Sequence, residues 1–322
     1  MTRVLIIRPS SLGDIVHALP IVHDMHGHCR DLVVDWVAEE PFPALVRLNH
    51  GIRRVIPIAL RRWRRRALSH ATWREMKVFR RELVHDRYDA IIDLQEQVKG
   101  ALIAWLARGP VHGPHRATIR EPAATLLYRH SYRIDPNQHL IDRCRLLAGR
   151  AFGYEPAGPP RFDLDAAAHG GALDRRYAVC VHGSSRDEKL WPEGHWKALL
   201  DSLASMGLDT VLPWGNRAEA ARSERLAAGQ TRASVPPWQT LPELAALLAR
   251  ATLVVGVDTG LTHLAAALGT PTVALFTATD ARLAGVERAG GPARDLGGMG
   301  NISPPTQVIA AARALLAAQP NR

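Results

Sequence analysis

The sequence predicts an α/β protein of two domains, each a parallel sheet covered by helices. Three observations carry the prediction. The chain has 322 residues, which suits two domains of ordinary size. Short β-rich runs alternate with helical patterns, as in βαβ units with parallel strands. The alternation runs twice. Between the two series lies GYEPAGPPRFDLDAAAHGG, with the proline and glycine density of a domain edge. The expected domains are residues 1–160 and 161–322, with a last helix able to cross back to the first.

In the first series RVLII, LVVDWV, RRVIPI and DAIIDL read as strands, and helices begin near Asp14, Pro41, Thr72 and Glu96. The second series opens near Arg176 with the strand YAVCVHG. PEGHWKALLDSLASMG follows as a helix, with Pro192 in its first turn and Gly207 at its end. DTVLPWG, TLVVGV and TVALF complete the strands recognised there. No repeat of solenoid period is present. The architecture expected is two Rossmann-like domains facing one cleft. Open α/β sheets bind ligands at the carboxyl ends of their strands, so post-strand loops should line that cleft.

Composition narrows the partners. Hydrophobic residues make up 47% of the chain, enough for packed cores rather than disorder. Lys and Arg total 41 against 31 Asp and Glu, a net charge of +10 that favours an anionic partner: nucleic acid, anionic lipid or a phosphorylated sugar. Cys29, Cys144 and Cys180 are far apart and form no CxxC, so reduced cytosolic thiols are the simpler reading. Val4 to Ile7 read as a core strand, not part of a signal peptide. No run approaches the roughly 20 apolar residues that span a bilayer, so any membrane contact is expected to be peripheral.

Four stretches carry candidate chemistry. In VLIIRPSSLGDIVHALP a strand turns into a helix around Ser10, Ser11 and Gly13, and Asp14 follows. Asp14 fits two readings: a helix N-cap or first-turn acid, or a general base at a strand-end turn. One glycine where a dinucleotide fingerprint needs three argues against a nicotinamide cofactor. In VVGVDTGLTHLAAALGTPTVALF, Asp258, Thr259 and Gly260 turn a strand into a helix whose free N–H groups suit an anion. Thr259 and Thr262 can add hydroxyl donors. His263 in the first turn is either structural or a donor to a phosphate. VHGSSRDEKLWPEGHW places Gly183, Ser184, Ser185 and Lys189 after a strand, which suits a phosphate or a solvated charged loop, though not a P-loop. LRRWRRR sets five arginines around Trp63. That run, continued by Trp73, Arg74, Lys77, Arg80 and Arg81, suits a solvated face, a nucleic-acid patch, a multiply anionic small acceptor or an anionic membrane surface. Zinc-ligand spacing and a GxSxG elbow are both missing.

In order along the chain, RPSSLGDIVHALP, DWVAEEPF, VIPIALRRWRR, YDAIIDLQ, REPAATLLY, HGSSRDEKLWPEGHW, LPWG and VDTGLTHLAAAL resemble the lipopolysaccharide heptosyltransferases, and their type I group most closely. The resemblance implies a GT-B fold and transfer of L-glycero-D-manno-heptose from ADP-heptose to a Kdo sugar of Kdo2-lipid A. It further implies inversion at the anomeric centre and action as a peripheral protein on the cytoplasmic face of the inner membrane, with ADP-heptose as donor substrate and neither cofactor nor metal. Under it Asp14 is the catalytic base and Lys189 the cation that neutralises the leaving ADP. Ser184, Ser185, Asp258, Thr259, Gly260, Leu261 and His263 hold the donor, Glu219 meets the nucleoside, and Gln239 stands near the adenine where some members carry Met. Ser10, Ser11, Gly13, Arg61, Arg62, Arg64 and Arg120 face the acceptor. One carboxylate suffices because a diphosphate already leaves well. The alternatives are an enzyme adding a later core heptose or, from a different class, a basic nucleic-acid-binding module.

Overall fold

Strand pairing is parallel throughout both sheets of the computed structural model. The structure describes residues 1–166 and 175–319. It divides into two units, Met1–Asp163 and Leu164–Arg322. The division falls within the Pro- and Gly-rich stretch, whose residues 167–171 lie outside the described residues.

The first unit runs β1 (Thr2–Ile7), α1 (Leu12–Ala18), α2 (Pro20–His28), β2 (Leu32–Glu39), α3 (Pro43–Val46), β3 (Ile52–Ile58), α4 (Leu60–Arg65) and α5 (His70–Leu83). It continues with β4 (Ala90–Asp93), α6 (Val98–Leu106), β5 (Val111–Pro114), β6 (His130–Tyr132) and α7 (Leu140–Phe152). Its sheet has the order β3-β2-β1-β4-β5-β6. Leu5, Ile7, Val37 and Ile91 pack with Phe79 and Leu83 of α5 and Ile103 of α6. The alternate positions Val4, Ile6, Val34 and Trp36 are equally buried, so helices cover both faces, as parallel sheets require.

The second unit runs β7 (Tyr177–Val181), α8 (Glu193–Ser205), β8 (Asp209–Val211), α9 (Arg217–Ala227), β9 (Ala233–Ser234) and α10 (Leu241–Arg250). β10 (Leu253–Val257), α11 (Gly260–Ala267), β11 (Thr272–Phe276), α12 (Ala281–Ala284), β12 (Ala293–Gly297) and α13 (Pro305–Ala317) complete it. Its order, β12-β11-β10-β7-β8-β9, repeats that of the first sheet. Trp191 and Trp196 meet edge to face with centroids 5.1 Å apart inside its core, a gain beyond their buried area. Pro192 stands just before α8, and Gly207 ends that helix with φ 78°. Val308, Ala312 and Leu315 of the final helix, α13, are buried in the core of this unit.

Some of the arginines are structural. Asp35, fully buried in β2, accepts from Arg53 at 2.6 Å, Arg54 at 3.2 Å and the Tyr88 hydroxyl at 2.8 Å. Arg145 of α7 forks onto Asp24 of α2 at 2.7 and 3.0 Å. Buried pairs of this kind cannot lose one partner cheaply.

Candidate active site

A sheet of this order reverses direction once, and the loops on either side of the reversal leave a crevice at the carboxyl edge. In the first unit the reversal lies between β1 and β4, bringing Arg8–Ser11 beside Leu94–Gln97. In the second it lies between β7 and β10, bringing the loop at 182–189 beside Asp258 and Thr259. All four loops emerge from buried strands.

Asp14 is committed on both oxygens. Ser11 is the N-cap of α1, and Asp14 is the N3 residue of the same capping box, not the cap itself. Oδ2 accepts the Ser11 N–H at 2.8 Å and the Ser11 hydroxyl at 2.7 Å. Oδ1 lies 2.9 Å from Nη2 of Arg8. Arg8 is itself buried; it donates Nη1 to the Leu94 carbonyl and accepts Trp36 Nε1 at its own carbonyl. Burial works against ionising Asp14. The charge of Arg8 and the two bonds from Ser11 outweigh it and hold the carboxyl below its ordinary range. The side chain keeps 36% exposure, enough to reach a ligand. Ser11, expected to face an acceptor, spends its N–H and hydroxyl proton on Asp14; Ser10 is buried and Gly13 half-buried in α1.

Across the reversal stands Asp93, which the sequence reading did not single out. It is fully buried at the end of β4 and accepts the Gln95 N–H at 2.8 Å and the Tyr128 hydroxyl at 2.7 Å. Burial pushes its carboxyl up to about 7 against the pull of those bonds and of Arg8. A Cβ at Gly100 would meet Asp93 and Gln95, so that helix start is open only to glycine. Glu96, with φ 58°, takes both its oxygens to Arg143 at 2.6 Å. The only sequence signal for this corner is the polar run that follows the apolar DAIIDL.

The arginine patch divides. Arg62 of α4 is held by Glu40 at 3.0 Å and by Glu75 at 2.9 Å, and Trp63 is buried with Nε1 on Glu75 at 2.7 Å. Arg62 therefore clamps α4 to α5 in this structure. Arg61 and Arg64 are exposed with no side-chain ion pair among the described residues. The Arg61 amide rests on Glu39, whose own amide bonds the Pro9 carbonyl, both at 2.9 Å, which ties the start of α4 to the turn before Asp14. Arg120 is exposed in the loop after β5.

In the second unit Asp258 is the hub. It accepts Lys189 Nζ at 2.6 Å and the Thr279 hydroxyl at 2.5 Å on Oδ2, and His263 Nε2 at 3.0 Å on Oδ1. Burial opposes its charge, but His263, Lys189 and Thr279 hold the carboxyl far below the ordinary range. His263, either structural or a phosphate donor on sequence, here bonds Asp258. Thr277 anchors the Lys189 turn by bonding the Glu188 carbonyl at 2.7 Å. Thr277 and Thr279 form a further post-strand element, after β11, that the sequence reading passed over. Thr262 turns inward to the Val257 carbonyl at 2.7 Å, leaving Thr259, Gly260 and Leu261 at the half-buried start of α11, where the first amides have no intrahelical acceptor. The Ser184 and Ser185 hydroxyls bond nothing among the described residues. Glu219 accepts the Gly215 N–H at 2.7 Å and lies where a Cβ on Gly183 would stand, so the loops after β7 and β8 meet there. Gln239, just before α10, buries Oε1 without a partner.

The profile of glycosyltransferase family 9 (heptosyltransferase) matches residues 76–288. Lipopolysaccharide heptosyltransferase 1 of Salmonella typhimurium is 40% identical over 288 residues, covering 88% of this chain and 90% of the relative. The chain belongs to glycosyltransferase family 9, the heptosyltransferases. An Escherichia coli heptosyltransferase, WaaC, solved with ADP, superposes with TM-score 0.91 at 36% identity over 98% of this chain and 100% of that one. The same enzyme with ADP-2-deoxy-2-fluoro heptose gives 0.86 at 36% identity, over 98% and 99%. This heptosyltransferase is thus a glycosyltransferase of lipopolysaccharide core synthesis with the GT-B type of fold. Among its described residues no helix is long and apolar enough to cross a membrane.

Proposed function

We propose that this heptosyltransferase moves L-glycero-D-manno-heptose from ADP-heptose to a Kdo sugar of Kdo2-lipid A, inverting the anomeric centre, as a peripheral protein on the cytoplasmic face of the inner membrane. One observation carries the reading. The switch point of the first sheet bears an ionised acid, Asp14, and that of the second bears Lys189 beside open helix amides. Those are the two halves of glycosyl transfer from a nucleoside diphosphate.

In the reaction the Kdo hydroxyl oxygen bonds to C1 of heptose as the bond from C1 to the diphosphate breaks. Asp14 takes the hydroxyl proton. An oxocarbenium-like sugar makes the attacking hydroxyl acidic late in the step, so a base of low pKa is adequate. Charge grows on the departing diphosphate. Lys189, the Ser184 and Ser185 hydroxyls and the amides of Gly260 and Leu261 stabilise it. Asp258 and His263 fix the direction of Lys189. Glu219 suits the hydroxyls of a ribose, and the unpartnered oxygen of Gln239 suits an exocyclic amine. Arg61, Arg64 and Arg120 draw in the acidic acceptor.

The test incubates the protein with ADP-heptose and Kdo2-lipid A and follows ADP release and the heptosylated product. Release is expected with the native chain and not with Asp14→Ala. Full activity of Asp14→Ala overturns the mechanism. Use of an already heptosylated core, but not of Kdo2-lipid A, assigns a later transfer instead.

A further inference from the structure

The turn between α4 and α5 is built unlike the rest of the surface. Leu68 at its tip is 96% exposed and Trp73, one turn into α5, is 55% exposed. Arg64, Arg65, Arg66, Arg74 and Lys77 surround them, all exposed. Along α5 the spacing of Trp73, Met76, Lys77 and Arg80 sets apolar and cationic side chains on one stripe. The neighbouring stripe, about a quarter-turn round the helix, is Thr72, Phe79 and Leu83, buried in the sheet's core side. The hairpin is also rigid at its base, because Glu75 holds both Arg62 and the Trp63 indole and Glu40 holds Arg62 again.

We infer that the α4–α5 hairpin is a wedge that docks on an anionic lipid bilayer, seating Leu68 and Trp73 at the boundary between headgroups and acyl chains. A helix with a basic face and a tryptophan lies in that boundary by combining apolar burial with attraction to anionic lipid. A nucleic acid would use the arginines and could stack on Trp73, yet it gives nothing to a leucine standing free in solvent. A bilayer uses both. The wedge also lies where a lipid-borne sugar would arrive. Its first helix leaves the carboxyl edge of the sheet and is tied through Glu39 to the Pro9 carbonyl, beside the Asp14 turn. Only this last point rests on the proposed acceptor.

The experiment uses the full chain with phosphatidylcholine vesicles and with vesicles that also contain phosphatidylglycerol, separated by flotation. Native protein should float with the anionic vesicles, less so as salt rises, and hardly with phosphatidylcholine alone. Leu68→Ser and the double change Leu68→Ser with Trp73→Ser should bind the anionic vesicles progressively more weakly, the double variant by roughly tenfold or more. Both variants should keep native transfer to a de-acylated Kdo acceptor and lose transfer to vesicle-borne Kdo2-lipid A. Equal flotation of native and double variant overturns the inference and moves the contact to another surface, the exposed Leu102, Trp105 and Leu126 patch first. So does absence of flotation, or a variant that loses affinity for a DNA duplex but not for vesicles. Failure of native protein to use either acceptor counts against the proposed reaction alone, since flotation is read without transfer.

Discussion

Replacing Asp93 by Asn should stabilise the first unit at pH 8 and leave it nearly unchanged at pH 5. Asp93 is fully buried, and its carboxyl is pushed from an ordinary 3.8 up to about 7. The sign follows from linkage. A carboxyl with a raised folded pKa binds its proton more tightly folded than unfolded. Its burial therefore costs nothing below the ordinary range, costs progressively more up to about pH 7, and costs a constant amount above that. At about 1.4 kcal/mol per pH unit, the full cost is at most about 4 kcal/mol. Asn keeps an oxygen for the Gln95 amide, but its amide nitrogen cannot accept the Tyr128 hydroxyl as the carboxyl oxygen does in either protonation state, which returns about 1–2 kcal/mol at both pH values. The net gain at pH 8 is about 2 kcal/mol, or roughly 4–8 °C for a unit of this size. At pH 5 the two effects nearly cancel. Urea unfolding and thermal melting of both proteins, followed on the first unit's transition at the two pH values, measure it. Equal destabilisation at pH 5 and pH 8 would refute the reasoning, because Asp93 would then be a carboxylate that the fold uses throughout.

Asp14→Asn should cut transfer at least about 100-fold and leave ADP affinity, measured calorimetrically, as in the native chain. Arg8→Gln removes the charge that keeps Asp14 ionised, so the acidic limb of the kcat/KM profile should move to higher pH; an unmoved limb separates Arg8 from the base. Lys189→Met should weaken ADP binding about 10- to 100-fold, the worth of a charge-assisted hydrogen bond, and unchanged binding would remove Lys189 from the phosphates. Arg61→Ala and Arg64→Ala should raise KM for the acceptor, whereas Arg62→Ala should instead speed amide hydrogen exchange across the α4–α5 hairpin.

The sequence discloses the parallel architecture because buried strands such as VLII and TVALF are continuous apolar runs, each followed by polar turn residues. The loops that hold the candidate site are legible for the same reason: each follows such a strand. β5 and β6 escape notice because VHGP and HSY are short and half polar, and only pairing with a neighbour makes them strands. The partners of the site residues are hidden more deeply. Lys189 and Asp258 stand 69 positions apart, and Thr277 bonds Glu188 across 89; no periodicity spans such intervals. Arg62 is a further case. The resemblance sets it toward the acceptor, and no sequence pattern foretells the two carboxylates from other elements that hold it here.

The Lys189–Asp258 bond gives the donor loop a resting state. An ammonium that already holds a carboxylate at 2.6 Å is not an idle cation waiting for any phosphate in the cell. An ammonium has three N–H donors, so in the proposed donor site a diphosphate takes those that Asp258 leaves while the carboxylate keeps the lysine aimed. On that proposal the product also leaves without stranding a bare cation in a partly desolvated loop, because Asp258 holds the lysine throughout.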